Sequence, residues 1–153
     1  MRMLKGTARM LVEICMLPFY IFAAVLARFV TKPIDVGLGP EPLINNVYHK
    51  RALEKFGYTA ETFAYGHYYI TNAFDRALLP QNSILRNLAI LFSPFFFVIV
   101  FRYRAIYIYF NGGLFFNSLF ILRIEPLLYR LSNGKFVVMP YGSDVQALSR
   151  CPN

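Results

Sequence analysis

The chain has 153 residues, 57% of them hydrophobic and 18% aromatic, with a mean hydropathy of +0.44 and a formal charge of +8. That length supports one well-buried domain and excludes two full ones. A greasy, basic chain whose Arg and Lys flank apolar runs fits an anionic membrane surface and argues against a nucleic-acid partner.

The first apolar run, residues 14–27, follows Arg2, Lys5 and Arg9 and precedes Arg28 and Lys32. Its charge-free core of about fourteen residues is short of the roughly twenty that cross a bilayer. Pro18 interrupts it, and Glu13 blocks extension on the amino side. A signal-anchor, a cleaved signal peptide and a helix lying in the headgroup layer all compete; the interfacial helix is preferred. Residues 1–32 are therefore expected to form a membrane-associating helix, with residues 33–153 as the folded domain. Cys15 lies inside this run and Cys151 near the end of the chain, so no disulfide framework is indicated and a reducing compartment is the default.

Residues 34–38 read as a first strand, followed by a Gly39-Pro40 loop stiffened by Pro42. Asn45 or Asn46 is expected to cap a helix whose Tyr48, Ala52, Leu53 and Phe56 share one face and which Gly57 ends. Residues 58–65 read as a second strand, and residues 66–81 as a polar loop. Residues 88–101 form the second apolar run, broken by Ser93-Pro94. It suits either a buried crossover helix or a membrane-dipping one whose Arg86, Arg102 and Arg104 meet lipid phosphates. Residues 105–110 read as a third strand closed by Asn111-Gly112-Gly113. A helix beginning near Pro126 leads to a fourth strand at residues 136–139.

Strands separated by helical stretches predict an α/β fold: a Rossmann-like parallel sheet of about four strands with crossover helices, preceded by the apolar helix. In such a sheet the carboxyl ends of the strands gather at one edge, where ligands bind. The candidate binding residues are Gly39, Pro40, Asn45, Asn46, Gly112, Gly113, Tyr141, Gly142, Ser143 and Asp144. Asp144 could accept hydrogen bonds from sugar hydroxyls or cap the next helix. No paired histidine activates Ser143, and no catalytic residue is assigned. His49 and His67 lack a second ligand at metal spacing, so no metal is expected. A dinucleotide fingerprint and a P-loop are both missing.

From residue 34 to residue 145 the order of these pieces resembles the amino-terminal, acceptor-side half of GT-B glycosyltransferases of the bacterial cell-surface polysaccharide and lipid-linked types. The likeness rests on Gly-Leu-Gly-Pro-Glu-Pro-Leu-Ile-Asn-Asn46, on the helix ending in Gly57-Tyr58, and on Tyr-Gly-Ser-Asp144. Tyr141 stands where the family's tip commonly carries histidine. The resemblance implies sugar transfer from a nucleotide sugar to a glycan or lipid-linked acceptor. It implies no cofactor beyond that donor, and a place on the cytoplasmic face of the cell membrane, peripheral or anchored by the first helix. It also implies a chain truncated before the donor-binding domain and inactive by itself. The competing readings are a small two-span integral membrane protein without enzymatic activity and a noncatalytic nucleotide- or partner-binding module.

Overall fold

The computed structural model describes residues 2–66, 73–109 and 113–140. The chain runs α1 (Arg2–Ala27), β1 (Ile34–Leu38), α2 (Ile44–Lys55), β2 (Ala60–Ala64), β3 (Arg76–Ala77), α3 (Ser83–Phe92), α4 (Phe95–Arg102), β4 (Tyr103–Tyr109), α5 (Ile121–Leu131) and β5 (Lys135–Met139). All five strands are parallel, in the order β3-β2-β1-β4-β5, with Val36 opposite Ala60, Leu38 opposite Tyr107 and Ile106 opposite Phe136. The expected Rossmann-like α/β sheet is present.

The order carries a reversal. From β1 the chain steps one way through α2 to β2 and β3, then returns through α3 and α4 to β4 on the other side of β1. Right-handed crossovers put α2 on one face of the sheet and α4 with α5 on the other. The point between β1 and β4, where the two directions part, is where open α/β sheets leave a crevice at their carboxyl ends.

The core lies on the α4–α5 face. Phe96, Ile99 and Val100 of α4 meet Ile106 and Ile108 of β4 and Leu128 of α5, all buried. Tyr20 of α1 enters the same cluster, edge-on to Phe96 at 5.3 Å and to Phe115 at 5.1 Å, and its hydroxyl donates to the Phe92 carbonyl at 2.7 Å. Side chains of this size stabilise by about 1.5–3 kcal/mol each when fully buried. Ala23, Ala24 and Ala27 are also buried, so small residues let α1 approach its neighbours closely.

Several elements depart from their expected bounds. The leading helix extends to 26 residues, and its stretch Arg9–Ala27 is long and apolar enough to cross a membrane by length and composition. Glu13 does not end it, because that carboxylate is drawn inward. Its oxygens accept from the Leu119 and Phe120 amides, each at 2.9 Å, and from the Ser118 hydroxyl at 2.9 Å. Ser118 Oγ in turn accepts from the Ile121 amide at 2.7 Å. These groups start α5 five residues before Pro126, which lies inside the helix instead of at its first turn.

At α2 the N-cap is Leu43, with no side-chain cap; Asn45 and Asn46 lie inside the first turn. Gly57, at φ 84°, ends α2 in the left-handed position expected of it, with Tyr58 N donating to Leu53 O and Gly57 N to Glu54 O. The second apolar run is two helices bent by 59° at Ser93-Pro94. Ser93 takes a left-handed conformation there, since the proline after it disfavours a helical one. Inside the expected polar loop sits β3, two residues long, which makes a fifth strand. It is held where Asp75 accepts from the Thr62 amide at 2.7 Å and from Lys50 Nζ at 2.6 Å.

Candidate functional site

The carboxyl edge of the sheet is assembled from the ends of β1, β2 and β4. At the end of β1 the peptide joining Gly39 and Pro40 is cis, and the Gly39 amide donates to the Tyr107 carbonyl of β4 at 3.1 Å. A β-carbon at Gly39 would strike the Phe63 carbonyl and ring, so β1 and β2 approach each other there as only glycine permits. The Pro40 carbonyl accepts from the Tyr65 amide at 3.3 Å, which ties the tips of β1 and β2 together.

Past this turn, Asn46 is fully buried in the first turn of α2. Its Nδ2 donates to the Glu41 carbonyl at 2.9 Å, while its Oδ1 is buried without a partner among the described residues. Burial pushes the Glu41 carboxyl above its ordinary pKa. Asn45 is half-buried beside it. Neither asparagine takes the capping position expected of it, which Leu43 occupies. The fold instead turns Asn46 back onto the loop that precedes the helix.

Tyr65 bridges to the tip of β4, its hydroxyl donating to the Gly113 carbonyl at 2.5 Å and its ring lying 4.5 Å from Phe116. Gly113 has no room for a side chain, because the Glu125 carboxylate fills that space. Glu125 reaches up from α5 and accepts from the amides of Leu114 at 2.7 Å and Phe115 at 3.3 Å. It is only 1% exposed and has no cation beside it among the described residues. Burial drives its pKa up, the two amides and the nearby Tyr129 hydroxyl restrain the rise, and the result is about 7. Its proton is therefore held to higher pH than in an ordinary glutamate, directly under the residues that follow β4.

Of the residues proposed from sequence, Gly39, Pro40, Asn45, Asn46 and Gly113 lie together along this edge. Gly112, Tyr141, Gly142, Ser143 and Asp144 lie outside the described residues, as does His67. Glu125 and Tyr65 join this edge without being among the residues expected there. Glu125 was visible as the one acid on the apolar stripe Ile121, Glu125, Leu128, Ser132, all of which are buried. Tyr65 had no such signal, since a tyrosine at the end of a strand is commonplace.

The three arginines considered for lipid contact are placed differently from one another. Arg102 forks onto Glu61, with Nε donating to Oε2 at 2.5 Å and Nη2 to Oε1 at 2.9 Å, and Tyr103 donates to the same carboxylate at 2.6 Å. Arg104 pairs with Asp35 at 2.9 Å. Arg86 is exposed on α3. Among the described residues no group of three or more His, Cys, Asp or Glu is placed to hold a metal ion. Comparison of the chain with known protein families, with curated proteins and with solved structures finds no match.

Proposed function

We propose that this chain is the acceptor-side, Rossmann-like unit of a glycosyltransferase that acts at an anionic membrane surface on a glycan or lipid-linked acceptor. The observation that carries the reading is the reversal of strand order between β1 and β4. At the carboxyl edge Tyr65 ties Pro40 to Gly113, and Asn46 folds back on the loop after β1, in the region where sheets of this order commonly take a ligand. The half-buried Asn45 amide and the Tyr65 ring are groups that suit sugar hydroxyls and the apolar face of a pyranose ring. Two-domain enzymes of this type hold the sugar nucleotide in a second Rossmann-like unit. Residues 34–139 form one such unit, and on this reading it supplies the acceptor side.

The membrane side of the proposal is supported by the outer face of the helical layer. Ile14, Phe19 and Phe22 of α1 and Ile84, Leu85 and Leu88 of α3 are all exposed, with Arg86 among the latter. Exposed apolar side chains on neighbouring helices are a feature of interaction surfaces. Bent away from this face, α4 stays in the core against β4, which is the reason for treating the second run as a crossover helix with a lipid-facing α3 beside it.

A vesicle co-sedimentation experiment tests the proposal. Anionic vesicles carrying an isoprenoid-linked sugar are expected to retain more protein than vesicles of equal charge without it. Asn45→Ala is expected to remove that increment while leaving binding to the plain vesicles intact. Equal retention on both vesicle types would sink the acceptor assignment.

A further inference from the structure

At the opposite edge of the sheet, the amino ends of β1, β4 and β5 surround a second feature, a cavity of about 500 Å³. Its polar lining comes from Arg28 just past α1, Lys32 and Asp35 at the start of β1, Arg104 in β4, Lys135 at the start of β5, and Asn133 after α5. Four cations thus face one carboxylate, and that carboxylate is already engaged. Asp35 accepts from Arg104 at 2.9 Å, from the Thr59 amide at 3.0 Å and from the Thr59 hydroxyl at 2.8 Å.

Lys32 is the unusual member. It is only 6% exposed, yet no carboxylate lies within ion-pair reach of it among the described residues. Two of its ammonium protons go to the end of α5, to the Ser132 carbonyl at 2.8 Å and the Ser132 hydroxyl at 3.3 Å. Those groups offset part of the cost of burying the charge, because the carbonyl end of a helix carries partial negative charge. The third proton has no partner among the described residues, although a buried ammonium is costly unless paired. Arg28 and Lys135 likewise have no acidic partner among the described residues.

A chloride-sized ion would leave most of this space unfilled, and a single carboxylate would leave most of the charge uncompensated. The volume lies within the range of small-molecule sites, about 300–1,000 Å³. Val30 and Tyr58 add apolar wall, and Phe29 beside them is 80% exposed. We propose that this pocket binds a phosphate ester, its oxygens set among Lys32, Arg28 and Lys135 and its organic part against Val30 and Tyr58. The site is separate from the carboxyl edge and does not depend on the glycosyltransferase reading. The same chemistry is offered by a soluble phosphate monoester and by the headgroup of a phosphate-bearing lipid.

Two ligand arms separate those sources: glycerol 3-phosphate in solution, and vesicles containing phosphatidic acid matched in charge by vesicles containing a carboxylate amphiphile. Amide shifts of Gly134, Lys135 and Asp35 report occupancy. Saturable shifts with glycerol 3-phosphate place a free phosphate ester in the pocket. Shifts with phosphatidic acid alone, and not with the carboxylate vesicles, place a lipid headgroup there.

In either case the exposed double variant Arg28→Gln/Lys135→Gln is expected to bind at least about tenfold more weakly, as loss of charge-assisted contacts requires. Lys32→Met is expected to abolish saturation. Should that variant fail to fold, the surface pair still decides. The proposal is overturned by no saturable shift in either arm, by equal response to the carboxylate vesicles, or by undiminished affinity in the double variant.

Discussion

The two edges of this sheet treat their carboxylates in opposite ways. Near the amino edge, Glu61 and Asp35 are surrounded by donors. Burial pushes Glu61 up, but hydrogen bonds from Arg102, Tyr103 and Arg76 outweigh it and bring its pKa down to about 2. At the carboxyl edge, Glu125 has amides and a tyrosine but no cation among the described residues, and burial wins, leaving it at about 7. The same side chain is thus held ionised in one place and pushed towards its protonated form in the other. The difference lies in which elements deliver arginine: the junction of α4 and β4 brings Arg102 and Tyr103 under β2, while α5 brings Tyr129 to Glu125.

This contrast is broken most sharply by pH. Glu61 has a folded pKa below the ordinary 4.5, so its contribution is complete above that pH and is lost as pH falls towards 2. Glu125 has a folded pKa above 4.5, so its contribution is complete below that pH and is lost as pH rises through about 7. Each shift corresponds to about 3 kcal/mol at about 1.4 kcal/mol per pH unit. Denaturant unfolding across pH 2–8 should therefore show stability falling on both sides of a maximum near pH 4–5. Glu125→Gln is expected to flatten the upper limb and Glu61→Gln the lower. An unchanged upper limb in Glu125→Gln would remove the account of the carboxyl edge.

A smaller effect is expected from Gly39→Ala. The added carbon meets the Phe63 carbonyl, which as backbone cannot swing aside, and the loss should be about 2 kcal/mol, within the range for overpacked sites. Urea midpoints measure it, and a neutral result would mean that β1 and β2 part easily at their tips. The smallest effect belongs to the Arg104–Asp35 pair, whose arginine side chain is 59% exposed. Arg104→Gln should leave stability close to unchanged, and high salt should erase any difference that remains. The amino edge would then owe its acid sensitivity to Glu61 and not to its surface pairs.

How much of this was legible in the sequence depends on the distance over which each feature is decided. The strand Ile34–Leu38 was read with its true bounds, because a short apolar run ends there in Gly39-Pro40 and both signals are local. Lys135–Met139 was read to within one residue for the same reason. The start of α5 was misread because Pro126 is a local signal, whereas the groups that open the helix are Ser118 and, from the other end of the chain, Glu13. A two-residue exposed strand such as Arg76–Ala77 has no pattern of its own; it exists because Phe63 and Ala64 offer an edge to pair with. At the candidate site, the glycines of the tips were visible as punctuation. What fills the space beside them, the Phe63 carbonyl and the Glu125 carboxylate, arrives from elements far away in the chain.

The inward turn of Glu13 has a consequence for what the leading helix can do. Its carboxylate is the terminal acceptor for amides more than a hundred residues downstream, so α1 is a structural strut of the domain as well as an apolar rod. Swinging it away to traverse a bilayer alone would strand two amides and a hydroxyl, at about 1–3 kcal/mol for each donor left dry. With this latch closed α1 stays packed on the domain, and only its outer face, with Ile14, Phe19 and Phe22, is left free to meet another surface.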